Sequence, residues 1–156
     1  MGLSGLVLVP NSAGDGLLGA IVRLNLSVSN VLERIASSAG LTMADYLVLG
    51  VIRGAESGRS APTAIAEVLG RTTGGMTLTL DRLVSSRLVI RSPDPRDGRR
   101  VVVELTPRGQ AVALQVNAEL HAWESALGLL GDGSEVLQLI EALDLAVSNR
   151  TEISTM

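Results

Sequence analysis

Two stretches concentrate the side chains suited to a charged partner. Residues 92–109 read SPDPRDGRRVVVELTPRG and carry Arg96, Arg99, Arg100 and Arg108, in a chain whose net charge is −3. Residues 72–87 read TTGGMTLTLDRLVSSR. A helix starting at Thr72 or Thr73 leaves its first backbone N–H groups unpaired, and its dipole favours an anion there. Gly74 and Gly75 remove side-chain bulk, so a phosphate can approach. Thr77, Leu78, Asp81 and Arg82 stand away from the Met76 and Leu80 stripe, with Thr79 between. Threonine donates to phosphate or touches a thymine methyl, and Arg82 reads guanine or holds backbone. The plainer alternative is that Arg82 pairs with Asp81 or a neighbouring acid. An arginine-tipped hairpin fits a narrow minor groove, where negative potential is concentrated. Its alternative is a solvated loop whose charges keep a sheet edge soluble.

The elements that must hold these residues follow from periodicity. Leu17, Leu18, Ile21, Leu24, Val28, Val31, Leu32 and Ile35 form one stripe of a long helix, stopped at Gly40. Thr42 and Asp45 make a T-x-x-D capping pattern for a second helix ending near Gly54. ESGRSA reads as loop. Pro62 opens a short third helix closed by Gly70, and the fourth begins about three residues later, which is helix-turn-helix spacing. LVIRS and RVVVELT read as strands joined by the turn formers PDPRDG. In the second strand Val101, Val103 and Leu105 alternate with Val102, Glu104 and Thr106. Thr106-Pro107 is an N-cap and first-turn proline for a long helix carrying Ala111, Leu114, Leu120, Trp123, Leu127 and Leu130, broken at GDGS. A last helix over residues 134–148 directs Val136, Ile140, Leu143 and Val147 inward. The pattern is mostly α with a small β-hairpin wing, a winged helix-turn-helix with helical extensions at both ends.

Charge agrees with that division. Residues 62–109 hold eight Arg against five acids, a net of +3, and the rest holds five Arg against eleven acids, a net of −6. A basic middle between acidic ends suggests that only the middle meets a polyanion. All 13 basic residues are Arg, so every cationic contact is a forked, permanently charged guanidinium. Absence of Cys excludes disulfides, thiolate metal sites and a thiol sensor, and one His leaves little for zinc. No nucleophile–base pair, phosphate loop or metal cluster forms a recognisable motif, which argues against an enzyme and gives no cofactor. The apolar run from Leu3 to Val9 lacks a basic leader and soon meets Pro10, so the expectation is a cytoplasmic protein without a membrane span. The core must be aliphatic, because Tyr46 and Trp123 are the two aromatic residues.

DGRRVVVELT, from Asp97 to Thr106, fits the D-x-R-x-x-x-V-x-L-T signature of the MarR-type transcription regulators. APTAIAEVLG resembles the family's first motif helix and TTGGMTLTLDRL its recognition helix. The resemblance covers roughly residues 17–148. It implies a homodimer in which helices from 17–39 and 107–149 interlock, a DNA-binding domain over 42–106, and flexible ends at 1–16 and 150–156. The partner it implies is a pseudo-palindromic double-stranded operator, and the usual role is a repressor released by a small aromatic or lipophilic effector. Carried over by position, Thr72 to Thr79 and Arg82 map to the recognition helix. Arg99 maps to the wing arginine of the minor groove, with Asp97 as its partner and Arg96 and Arg100 beside it. Tyr46, His121 and Trp123 are the candidates for an effector crevice, against the plainer reading of Trp123 as packing and His121 as surface. Two positions depart from the family: Leu78 stands where relatives with a similar GGMT motif often have Arg, and Arg87 replaces the more usual glycine before the first strand. Leu78 and the lack of Lys motivate the alternative, a winged-helix protein-interaction module with weak or lost DNA reading.

Overall fold

The computed structural model describes residues 16–128 and 133–153. In chain order they form α1 (Gly16–Ser38), α2 (Met43–Gly54), β1 (Arg59–Ser60), α3 (Pro62–Val68), α4 (Thr73–Ser85), β2 (Val89–Pro93), β3 (Val101–Leu105), α5 (Pro107–Ala126) and α6 (Ser134–Ile153). The chain divides into two units, one ending at Leu120 and one starting at His121.

Local chemistry sets most boundaries of the first unit. The capping box at α2 is complete: the Asp45 N–H donates to Thr42 Oγ1 at 3.1 Å, and Asp45 Oδ2 accepts from the Thr42 N–H at 2.9 Å. Pro62 occupies the first turn of α3. Past its end, Gly70 takes φ +59°, and the Arg71 N–H donates to the Ala66 carbonyl at 2.8 Å. That left-handed residue lets the chain reverse into the Thr72 cap of α4 within a few residues. α4 ends in the same way, with Arg87 in the left-handed position at φ +58°. The Leu88 N–H donates back to the Leu83 carbonyl at 3.0 Å, closing the end of the helix.

The sheet has three antiparallel strands in the order β1-β3-β2. β1 pairs Arg59 with Glu104, so ESGRSA, expected as loop, supplies a two-residue edge strand. Glu104 joins all three strands: it accepts from Arg59 Nε at 2.9 Å and from the Ser92 hydroxyl at 3.3 Å. Along β3 the expected alternation is broken, because Val102 and Val103 are both buried while Val101 is exposed.

The core is aliphatic. Val48, Leu49 and Ile52 of α2 meet Ile65 of α3, Met76, Leu80 and Leu83 of α4, Val89 and Val103 of the sheet, and Ala113 and Val116 of α5. Each such side chain contributes about 1.5–3 kcal/mol on burial. The inward stripe of α5 is Gly109, Ala113 and Val116, with Leu120 packed beside it, whereas Ala111 and Leu114 are exposed. Small residues won that face because the helix start runs against backbone. A Cβ built on Gly109 would lie 1.9 Å from the Leu88 carbonyl oxygen.

The apolar stripe of α1 leaves Leu17, Leu18, Leu24 and Val28 exposed in the single chain, and on α6 Val136, Ile140 and Val147, expected to point inward, are exposed as well. α5 stops at Ala126, before GDGS, and Leu130 lies outside the described residues. α6 continues to Ile153, so residues 150–153, expected in a flexible end, are helical. No glycine or proline follows Ser148 to stop it. Residues 1–15 and 154–156 lie outside the described residues.

Candidate nucleic-acid interface

α4 presents a polar and apolar outer face over a buried one. Thr72 caps it, with its hydroxyl oxygen accepting from the Gly75 N–H at 3.3 Å. The first intrahelical bond runs from Met76 N–H to the Thr72 carbonyl, so the N–H groups of Thr73 and Gly74 precede the ladder and both residues are exposed. A side chain at Gly74 would meet nothing within 4 Å. Outward along the helix follow Thr77, Leu78 and Asp81. Leu78 is 71% exposed.

Two of the expected contact residues are turned to other work. Thr79 is buried, and its hydroxyl donates to the Gly75 carbonyl at 3.2 Å. It lies three residues after Met76 and one before Leu80, on the core side of the helix. Arg82 reaches back to α2. Its Nε lies 3.0 Å and its second terminal nitrogen 2.7 Å from Asp45 Oδ1, and the latter also approaches Thr42 Oγ1 at 3.4 Å. The Arg82 side chain is half exposed and the Asp45 side chain almost wholly buried. Burial raises the Asp45 pKa, but hydrogen bonds from Arg82 and from the Thr42 backbone and hydroxyl, with the nearby guanidinium charge, outweigh it and hold the carboxyl below its ordinary range. The fork therefore ties α4 to the N-terminus of α2. Asp81, the other acid considered for Arg82, instead meets Arg91 of β2 at 2.7 Å.

The wing tip is built from two aspartates. Asp94 Oδ1 accepts from the Arg96 N–H at 2.8 Å, and Asp97 Oδ1 from the Arg99 N–H at 3.2 Å. Backbone bonds from Asp94 N–H to the Arg100 carbonyl and from Arg100 N–H to the Asp97 carbonyl close the turn. The expected Asp97–Arg99 pairing is thus through the Arg99 backbone, and the side-chain ion pair of Asp97 is with Arg100, at 3.4 Å. Among the described residues the guanidinium groups of Arg96 and Arg99 have no acceptor, and both residues are exposed. Thr106 fixes the far end of the wing. Its hydroxyl donates to the Arg87 carbonyl at 2.8 Å and accepts from the Gly109 N–H at 2.9 Å.

The three candidate effector residues fall in different units. Tyr46, in the first, is half-buried and donates to Asn117 Oδ1 at 3.3 Å, an oxygen that Arg53 also approaches at 3.5 Å. His121 and Trp123 belong to the second unit. His121 is exposed with Nδ1 3.0 Å from Glu124, and Trp123 is half-buried. An open cavity of about 420 Å³ lies between the segment after α2 and the wing tip, lined by Glu56, Arg59, Asp94 and Arg96 among others, and by none of these three. Among the described residues no cluster of three His, Asp or Glu side chains is placed to hold a metal. No single helix there is long and apolar enough to cross a membrane.

Two short helices around a tight turn, followed by a basic two-stranded wing braced by a third strand, define a winged helix-turn-helix protein. The family model of the MarR family matches residues 39–100. The chain belongs to the MarR family of transcriptional regulators. Multiple antibiotic resistance protein MarR of Escherichia coli strain K12 is 35% identical over 109 residues, 67% of this chain and 74% of that protein. For its counterpart in Salmonella typhimurium the match is 35% over 95 residues, which spans 65% of that relative's length. Among solved structures, a cysteine-to-serine variant of E. coli MarR complexed with operator DNA is 29% identical, with a TM-score of 0.67 over 81% of this chain and 92% of the other.

Proposed function

We propose that this chain is a homodimeric, cytoplasmic, operator-binding transcription regulator, a repressor that a small aromatic or lipophilic effector releases, and not an enzyme. The observation that carries the DNA reading is the exposed start of α4 together with a wing whose Arg96 and Arg99 are unpaired among the described residues. A solved complex of a relative with operator DNA supports it. The contacts fall to Thr72, Thr73, Gly74, Gly75, Thr77 and Leu78 on α4, and to Arg96, Arg99 and Arg100 on the wing. Asp97 shapes the wing tip. Thr79 and Arg82 act by position, one inside the core and one through Asp45.

Dimerisation is supported by apolar surface left on the terminal helices. Leu17, Leu18, Leu24, Leu137, Leu139 and Leu145 are each more than half exposed in the single chain. Monomers rarely leave so many large apolar side chains in water on two helices. A symmetric dimer carries two α4 helices, which enter successive major grooves when they sit about 34–36 Å apart. An effector that changes that separation releases the DNA. Tyr46 of the first unit, and His121 and Trp123 of the second, are each proposed as effector contacts.

Hydroxyl-radical footprinting on the DNA upstream of the chain's own gene tests this reading. The expected pattern is two protected patches, one helical turn apart and related by two-fold symmetry. One observation favours the interaction-module alternative: the outer face of α4 carries Leu78 and no unpaired cation. Uniform cleavage along the duplex would support that alternative.

A further inference from the structure

We infer that α4 reads its half-site by apolar contact with thymine methyl groups, centred on Leu78, and not by an arginine on guanine. The inference rests on the reading of the chain as a DNA-binding protein and specifies what that site recognises. Thr73, Gly74, Thr77, Leu78 and Asp81 are exposed at helical spacings that place them along one side of α4. No cation stands among them. Arg82, the one arginine of the helix, is held by Asp45 at 2.7 Å. Arg91 of β2 is held by Asp81 at 2.7 Å, and the same bond occupies the one acid on that face. Arg71 precedes the N-cap and lies outside the helix.

What this face offers is therefore short and largely apolar. The Thr77 hydroxyl hydrogen is committed to the Thr73 carbonyl at 3.0 Å, leaving its methyl group and an acceptor. Leu78 is 71% exposed and is the largest side chain on this side of the helix without a polar partner. In the major groove guanine is marked by two acceptors, which require a donor, and thymine by its C5-methyl, which requires an apolar surface. Leu78 meets the second requirement and cannot meet the first. The charge needed to hold the duplex comes from the wing, where Arg96 and Arg99 lack an acceptor among the described residues. Affinity and base preference are thus divided between two elements.

The test uses the full chain and a randomised duplex pool. Preferred sites are selected, then each thymine under α4 is replaced by uracil, which removes only the methyl group, and affinity is measured by fluorescence anisotropy. We expect thymine at one or two positions per half-site and a loss of about four-fold for each methyl removed there. Leu78→Ala should bind the thymine duplex more weakly and no longer distinguish it from the uracil duplex. Because Leu78 is exposed, this variant should melt with the parent, and Leu78→Arg should move the selected preference toward guanine. Selected sites with guanine under α4, or a uracil duplex bound as tightly as the thymine one, would overturn the inference while leaving DNA binding intact. Selection of no sequence at all would refute the DNA-binding reading itself.

Discussion

Arg82 separates two accounts of α4, because the same side chain is either a reader of bases or a strut. Replacing it with Leu removes a forked, charge-assisted contact whose shortest leg is 2.7 Å and leaves a nearly buried carboxylate with Thr42 as its donor. Losing one partner of a fully buried ion pair costs about 3–5 kcal/mol. Arg82 is half exposed, so screening and rehydration reduce that, and we expect about 1.5–3 kcal/mol. Urea denaturation should show a lower midpoint with an unchanged slope. Asp45→Asn should destabilise by about 1–2 kcal/mol, and a double-mutant cycle should show coupling beyond the roughly 0.5 kcal/mol scatter of independent sites. The pH dependence has a definite sign. The folded Asp45 carboxyl titrates below its unfolded value, so the unfolded chain binds more protons between the two values. Stability from the pair is therefore full above about pH 4 and is lost as pH falls through the folded value. The gap between parent and Arg82→Leu should close on acidification. Additive effects of the two substitutions, or a change of base preference in Arg82→Leu that Asp45→Asn does not share, would refute the strut.

Gly109→Ala should be among the most damaging single substitutions, costing at least about 3 kcal/mol by thermal or urea unfolding, because the added carbon would meet the Leu88 carbonyl oxygen at 1.9 Å. The same oxygen accepts from the Thr106 N–H, so relief by shifting α5 also loosens the base of the wing. Arg87→Gly should raise stability by about 0.5–1 kcal/mol, since Arg87 sits at φ +58° and glycine accepts that conformation without strain. Arg99→Ala should weaken binding to most DNA sequences alike and reduce the salt slope by about one unit, with melting unchanged. Thr79→Val should leave sequence preference as it is, because its side chain is buried and bonded within α4.

The parts legible in the sequence were those written in local chemistry. The capping pair Thr42 and Asp45, the first-turn Pro62, the stop at Gly70 and the Thr106-Pro107 start all appear where short-range rules put them. The misreadings arose where a distant partner decides. β1 is two residues long, and its strand character comes from β3 and not from its own pattern. Arg82 and Asp45 are 37 positions apart, and nothing in either neighbourhood announces the pair. Gly109 faces inward on α5 because closeness to the Leu88 backbone, not apolar bulk, chose that position. Thr79 was readable: spacing from Met76 and Leu83 puts it on the core side, and its polar type obscured that. The exposed stripes of α1 and α6 are apolar for a reason a single chain does not display, which the proposed dimer supplies.

The most direct test of the central claim is fluorescence anisotropy of the full chain with its own upstream DNA and with a scrambled duplex across a salt series. Operator binding predicts tight preference for the upstream duplex. It also predicts that log K falls linearly with log salt, at the slope of roughly 6–10 phosphate contacts per dimer. Equal, shallow curves for both duplexes would contradict it and point to a protein partner for the winged domain.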